Sequence, residues 1–287
     1  KHGLMSVIQT RLATRADRAA LIGFIRDHWS ASHVFVHAPE VFDWQYGQAD
    51  GRLNLVLAEQ DGMILGVLGF IPMGRFDPGL GDGDCLLAVW KVREDLAPPG
   101  LGLRLLKFIQ SQLQPRLIGA IGISDMVGPI YRALGYTLDR LHQAAIFNPA
   151  AKGVTRIASG VPDAAFAGAG DAGGYRIDRL AEADAPEIEA LAQAGVPRKS
   201  FAYVRDRYLD HPFYRYTCAA VRTGGSVRAL AVWRTVSCNG ATILRIVDII
   251  GETGWLAHGR ALLLPEVQAA GAEYIDLMQM GTDDDTL

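Results

Sequence analysis

The chain has 287 residues, 49% of them apolar and 21% charged, with a formal net charge of −3 at pH 7. This length and apolar content suffice for two ordinary domains; the mild negative charge leaves no footprint for nucleic acid, and no apolar run approaches the ~20 residues of a membrane-spanning helix. Three cysteines (Cys85, Cys218, Cys238), odd in number and without Cys-x-x-Cys spacing, point to reduced thiols in a cytoplasmic protein and away from a disulfide or zinc framework.

No signal peptide is visible, and Lys1 to Leu4 before Met5 read as an appended remnant outside the fold. Residues 7–12 alternate as a short strand, and Ala13 to Asp17 lead into an amphipathic helix with Leu21, Ile22, Phe24 and Ile25 as its apolar members. An irregular stretch rich in rings follows: His28, Trp29, His33, Phe35, His37, Phe42, Trp44 and Tyr46. Packing of the tryptophans on a sheet is the simpler reading, although long loops also carry function. His33 and His37 have the spacing of two metal ligands on a helix. Pro39 and the β-branched Val34 and Val36 oppose a helix there, and no carboxylate stands at the matching interval, so no metal is expected. With an ordinary pKa of about 6.5, either imidazole is a candidate base toward an ammonium group.

Arg52 to Pro72 reads as a hairpin turning at Asp61-Gly62. A glycine-rich loop from Arg75 to Asp84 then delivers the chain to an apolar strand, Cys85 to Val92, opened by Asp84 and closed by Glu94 and Asp95. Pro98-Pro99-Gly100-Leu101-Gly102 makes a turn, and Leu103 to Ile109 continues at helical spacing. Such a turn leaves backbone N–H groups unpartnered at the positive end of a helix, where an anion can sit. The dinucleotide fingerprint lacks its third glycine, since Leu105 stands there, and no Gly-Lys-Ser/Thr follows for a P-loop. Leu117 to Ser124 reads as a second buried strand. Next comes Asp125-Met126-Val127-Gly128-Pro129-Ile130-Tyr131-Arg132-Ala133-Leu134-Gly135-Tyr136.

Strand, G-x-G turn, helix, strand, then a short helix carrying Tyr and ending in Leu-Gly-aromatic resembles the acyl-CoA-binding half of the GNAT acyltransferases. Gly100, Gly102, Tyr131, Gly135 and Tyr136 fall on that family's positions. Ala97 replaces its usual Arg or Gln, and Ser124 stands where Asn is commoner. The strand-to-helix opening of the chain matches the family as well.

The pattern then repeats. Tyr175 to Asp184 restarts the strand-to-helix opening; Thr217 to Arg222, the turn Gly224-Gly225 and Val227 to Trp233 repeat the hairpin; Asn239-Gly240 turns into a counterpart of the central strand, Thr242 to Ile250. The expected fold class is therefore α/β with mixed (α+β) sheets: two tandem GNAT-like domains, each a mixed, mostly antiparallel sheet flanked by helices. Residues 5–149 form the first, 150–174 an Ala/Gly-rich linker or loose insertion, and 175–287 a degenerate second copy. Its turn, Gly251 to Gly259, lacks G-x-G; a helix (Arg260 to Ala270) and a strand (Tyr274 to Gln279) follow, with no Tyr before Leu-Gly-aromatic. Asp283, Asp284 and Asp285 read as a helix N-terminus, and the repeat's last helix and strands are expected beyond Leu287.

The resemblance implies acetyl-CoA, or another acyl-CoA, as cofactor and a small-molecule amine as acceptor. Backbone amides of Gly100, Leu101, Gly102, Leu103 and Arg104 would hold the diphosphate, and Ser124 and Tyr131 would line the cofactor site. The strand should splay at Trp90 and Lys91 to admit the pantetheine arm, with the amide of Lys91 or Val92 polarising the thioester carbonyl. Tyr131 takes the place of the general acid, or simply packs against the sheet. Asp84 and Glu94 join His33 and His37 as candidate bases, or are solvated strand-end charges. Tandem copies with an aromatic-rich first loop resemble proteins of bacterial surface-polysaccharide synthesis, implying an amino-sugar acceptor, perhaps nucleotide-linked. The alternatives are an aminoacyl transferase of the tandem peptidoglycan type and a non-catalytic CoA-binding or interaction protein; a homodimer is also among the expected assemblies.

Overall fold

The computed structural model describes residues 7–280. Lys1 to Leu4 and the Asp283–Asp285 triplet lie outside the described residues. The chain divides into two compact units, residues 1–124 and 125–287.

The first unit holds β1 (Gln9–Thr14), α1 (Arg18–His28), α2 (Val34–His37), α3 (Pro39–Tyr46), β2 (Arg52–Gln60), β3 (Met63–Pro72), β4 (Asp84–Val92), α4 (Leu101–Leu113) and β5 (Leu117–Ala120). Its five strands are ordered β1-β2-β3-β4-β5, antiparallel except for the parallel pair β4–β5. A parallel pair needs a crossover, which α4 supplies. α4 buries Leu101, Leu105, Leu106 and Ile109, the spacing of one helical stripe. The turn between β2 and β3 has both Asp61 and Gly62 at positive φ (52° and 76°), the geometry that matches the right-handed twist of the strands it joins.

The aromatic stretch is helical, contrary to the sequence expectation. His33 caps α2 by accepting the Phe35 amide at Nδ1 (3.2 Å). Phe35 is buried and meets Phe42 and Tyr46 edge-on, with ring centroids 5.4 and 5.6 Å away. That burial outweighs the weak helix propensity of Val34 and Val36, and Pro39 sits in the first turn of α3, where its missing N–H costs nothing. Phe42 is fully buried; of the tryptophans expected to pack, Trp44 meets Phe76 with ring centroids 4.9 Å apart and the rings tilted by 40°, but Trp29 is 47% exposed.

The second unit holds α5 (Gly128–Ala133), β6 (His142–Phe147), β7 (Tyr175–Arg179), α6 (Ala185–Ala192), α7 (Phe201–Val204), β8 (Tyr216–Thr223), β9 (Ser226–Cys238), β10 (Ala241–Gly251), α8 (Gly259–Ala269) and β11 (Tyr274–Gln279). Its six strands are ordered β6-β11-β10-β9-β8-β7, with β10–β11 parallel. From β7 to β11 the order and directions reproduce β1 to β5. β6, not read as a strand from sequence and placed there within the first copy, pairs antiparallel with β11 and completes the second sheet. α8 packs on one face, where its Leu263 and Val267 are buried in one cluster with Leu244, Ile246, Trp255 and Ile275. The segment read as a linker covers part of the other face: Ala151 and Phe166 are buried with Phe147, Ile243 and Tyr274, and Arg260 donates to the Ala165 and Ala167 carbonyls (3.1 and 3.0 Å).

One irregularity recurs. In β4, Leu68 opposes Trp90 and Gly69 opposes Ala88, so Val89 is an extra residue held at φ 61°. A β-branched residue there is strained by about 1–3 kcal/mol. In β10, Ile246 opposes Trp233 and Asp248 opposes Val232, leaving Val247 as the extra residue. The bulge at Val89 demands Gly69: a Cβ there would lie 2.4 Å from the Ala88 carbonyl oxygen and 2.7 Å from the Tyr46 hydroxyl. Gly69→Ala is expected to destabilise the first unit by about 2 kcal/mol or more, read as a lower midpoint in urea denaturation; an unchanged midpoint would mean the bulge relaxes freely.

Candidate active site

β5 ends early. Its last pair is Ala120 with Leu87, so among the described residues Ala88 to Val92 have no strand on that side. The ladder alternates, and Arg93 donates to the Leu65 carbonyl on β3 (2.8 Å); the N–H of Lys91, two residues earlier, therefore also faces β3, whereas those of Trp90 and Val92 face the open edge. The sequence offered Lys91 or Val92 as the polarising amide. The geometry leaves Val92.

Across the turn, Gly100 has φ 82° and ψ 0°, a left-handed conformation that favours glycine. The Leu101 amide bonds the Pro98 carbonyl (3.2 Å) and that of Arg104 bonds Gly100 (3.0 Å). Among the described residues the amides of Gly100, Gly102 and Leu103 make no hydrogen bond, three of the five proposed from sequence. A Cβ on Gly100 would meet nothing within 4 Å, whereas one on Gly102 would lie 3.2 Å from the Trp90 indole nitrogen. Gly102 thus lets the indole lie against the first turn of α4, beside the donors. The Arg104 guanidinium turns away to the Ile8 carbonyl and the Thr10 hydroxyl (both 3.2 Å).

In the second unit β10 likewise outruns β11, whose last partner is Ile246. A cavity of about 200 Å³ opens there, lined by Ile246, Leu256, Gly259, Arg260, Leu263 and Leu277 among others. Its turn is a 3₁₀ segment, Gly254–His258, with Trp255 fully buried.

No protein-family model and no curated protein sequence matches the chain. Solved structures do. A GCN5-related N-acetyltransferase from Anabaena variabilis is similar with a TM-score of 0.58 at 12% identity, over 98% of this chain and 68% of that one. A tandem GNAT protein from the clavulanic acid biosynthesis pathway gives 0.55 at 12% identity, over 96% and 91%. The N-myristoyltransferase of Saccharomyces cerevisiae, solved with myristoyl-CoA, gives 0.52 at 10% identity, over 96% and 73%. The fold is that of the GNAT acetyltransferases.

Within this GNAT fold the sequence candidates separate. Asp84 is buried and accepts both donors of Arg116 (Nε 2.9 Å, Nη2 2.5 Å), tying the approach to β5 onto β4. It stands six residues, about 20 Å of strand, from Trp90. That is a structural ion pair remote from the open edge, not a base. Glu94 is exposed and bonds Lys91 Nζ (2.7 Å), which holds its carboxyl below the usual range and weakens it as a base. His33 commits Nδ1 to its cap, so its neutral ring carries the proton on Nε2, and burial lowers its pKa. His37 is exposed, at the end of α2, and makes no hydrogen bond among the described residues. Ser124 is exposed. Cys85 and Cys218 are buried thiols pushed up to about 11 and about 12, poor nucleophiles near neutrality.

The tyrosine motif has a local cause. α5 ends with Gly135 at φ 86°; its amide bonds the Arg132 carbonyl (3.0 Å) and the Tyr136 amide bonds that of Tyr131 (3.0 Å). These are the two bonds of a Schellman cap, whose accompanying apolar contact is the Tyr131–Tyr136 ring pair, 5.1 Å apart. The spacing of Tyr, Gly and aromatic is thus a helix-ending device that also buries Tyr131, now 4% exposed. Burial raises its phenol to about 12, so it stays protonated throughout the physiological range.

Sequence reasoning missed Tyr46, whose hydroxyl donates to the Ala88 carbonyl at the bulge (3.4 Å). Gly66 and Gly69 inside a strand were the available signal, since an interior strand glycine often marks a bulge or close approach. Because burial raises the phenol, absorbance titration of the folded chain should show no ionisation of Tyr131 below about pH 11, with Tyr131→Phe as the reference; a transition near pH 10 that the variant lacks would mean the ring is open to solvent.

Proposed function

We propose that the chain is an acyl-CoA-dependent N-acyltransferase acting on a small-molecule amine, with the acyl-CoA bound in the first unit. One observation carries the reading: the unpartnered amides of Gly100, Gly102 and Leu103 stand at the start of α4, beside the stretch of β4 that has lost its parallel neighbour. Amides at a helix N-terminus suit a diphosphate, and an unpaired strand edge suits the amide-bearing pantetheine arm, which can bond to it as a short strand would. The Val92 amide would then donate to the thioester oxygen as it gains charge, and such donors are worth 10²–10³ in rate. His37, exposed and with no hydrogen bond among the described residues, is the strongest of the proposed bases for removing the proton of the ammonium acceptor. Acetyl-CoA is the first donor to test, and an amino-sugar, free or nucleotide-linked, the first acceptor; the latter rests on resemblance alone.

A binding-only reading draws on one fact. Asp84 and Glu94 are ion-paired and His33 is committed as a cap, so the basic machinery is thin. Free-thiol release over a panel of amines separates the two readings: none above the hydrolysis rate, despite tight CoA binding, would favour it.

Gly100 offers the direct test. Gly100→Ala adds only the left-handed backbone strain, because nothing lies within 4 Å of the added Cβ, and should weaken acetyl-CoA binding by no more than about tenfold. Gly100→Glu adds a carboxylate where the diphosphate belongs and should abolish binding in calorimetry. Equal affinity of the Ala and Glu variants would remove the cradle.

A further inference from the structure

The second unit carries a cluster that the acyl-transfer reading does not use. α7 runs into a π-helical turn, Arg205–Leu209, a rare element frequent at functional sites. Tyr208 from that turn donates to Asp248 Oδ2 (2.6 Å), and Lys199 Nζ bonds both oxygens of the same carboxylate (2.6 and 2.7 Å). Asp248 follows the bulged Val247 and faces Val232. His211, 2% exposed, accepts the Phe213 and Tyr214 amides at Nδ1 (3.1 and 3.0 Å) and packs against the rings of Tyr214 and Tyr216. These bonds explain how the segment is held. They do not explain its charge.

The carboxylates on this face are spoken for: Asp248 by Lys199 and Tyr208, Asp276 by Arg245 (3.0 and 2.6 Å) and Gln143 (2.8 Å), and Asp178 by Arg176 and Arg222 (2.9 and 3.2 Å). Arg234 stands directly across from Arg245 on one side and Tyr216 on the other, and like charges so placed repel. Its guanidinium lies 4.3 Å above the Tyr214 ring. Arg215 reaches only the His211 carbonyl (3.4 Å). Among the described residues neither Arg234 nor Arg215 makes an ion pair, and the Tyr214 and Tyr216 hydroxyls make no hydrogen bond. The surplus is felt nearby, for His211 is lowered to about 4 by burial first and then by Arg207, Arg234 and Arg215. Phe213 stands 48% exposed beside Tyr214, an apolar ring at the rim of a cationic patch.

We propose that Arg215 and Arg234, with the Tyr214 and Tyr216 hydroxyls and the Phe213 ring, form a second ligand site in this unit, for a phosphate-bearing molecule that also carries a ring, of the nucleoside diphosphate class. Two guanidiniums without acids supply the charge-assisted donors that a diphosphate takes. Two hydroxyls supply neutral donors, and the exposed ring offers a stacking face. The site stands or falls separately from acyl-CoA binding in the first unit.

Calorimetry on the full chain with uridine diphosphate, pyrophosphate, uridine and CoA tests this. Uridine diphosphate should bind saturably and weaken as salt rises, with pyrophosphate and uridine each at least about tenfold weaker. Arg215→Gln, at an exposed position where folding is not at risk, and Arg234→Gln should each lower its affinity by about tenfold while leaving CoA affinity unchanged. Gly100→Glu should do the reverse. Absence of saturable binding, equal binding of uridine and uridine diphosphate, pyrophosphate binding as tightly as uridine diphosphate, or full affinity in both Arg variants would each overturn the proposal.

Discussion

The structure depends on an extra residue in the central strand. Val89 cannot pair with β3, so the strand turns its backbone at that point, and the parallel partner β5 ends beside Leu87. A strand that bends where its neighbour stops leaves backbone groups exposed on one edge of an otherwise closed ladder. The strain of a β-branched residue at φ 61° persists because Gly69 makes room for it and Tyr46 bonds the carbonyl it displaces. The second unit repeats the device at Val247 without the left-handed backbone. The recurrence of a bulge at the point of parting, with different local geometry, marks it as the feature the architecture keeps.

Around that parting the two units have diverged in kind. In the first, a left-handed glycine and a second glycine against an indole leave amides facing out at the head of α4. In the second, a 3₁₀ turn anchored by buried Trp255 leads into α8, and the Arg260 guanidinium is engaged by the strap of residues 165 and 167. The polar chemistry of the second unit has moved to the other face of its sheet, where the π-helical turn, Asp248 and the arginines gather. The repeats thus differ locally: one keeps outward amides at the helix head, the other keeps two arginines, Arg215 and Arg234, that make no ion pair among the described residues.

Much of the fold was legible. Hairpin turns at Asp61-Gly62, Gly224-Gly225 and Asn239-Gly240 were readable because their left-handed backbones demand those residues, and the repeat emerged from the order of such local signals. β6 was not: residues 142–147 carry only a weak alternation, and the strand forms because β11 presents an edge to it. The helix at Val34–His37 was misread because propensity is a small term beside the burial of Phe35. Asp84 illustrates the same limit at the site. Sequence shows a carboxylate at a strand end and cannot show that Arg116, 32 residues on, closes over it.

By itself the sequence determined what is local in cause: turns, caps, strand and helix periods, the glycines at the head of α4, and the Tyr-Leu-Gly-aromatic helix ending, each set by dihedral limits or hydrogen bonds within a few residues. Tertiary structure alone decided which carboxylates are bound in ion pairs, which amides face the open edge, that β6 joins the second sheet, and that Arg215 and Arg234, unlike Arg245, make no ion pair among the described residues. Those outcomes are sums of long-range contacts, and no short window of residues contains both partners.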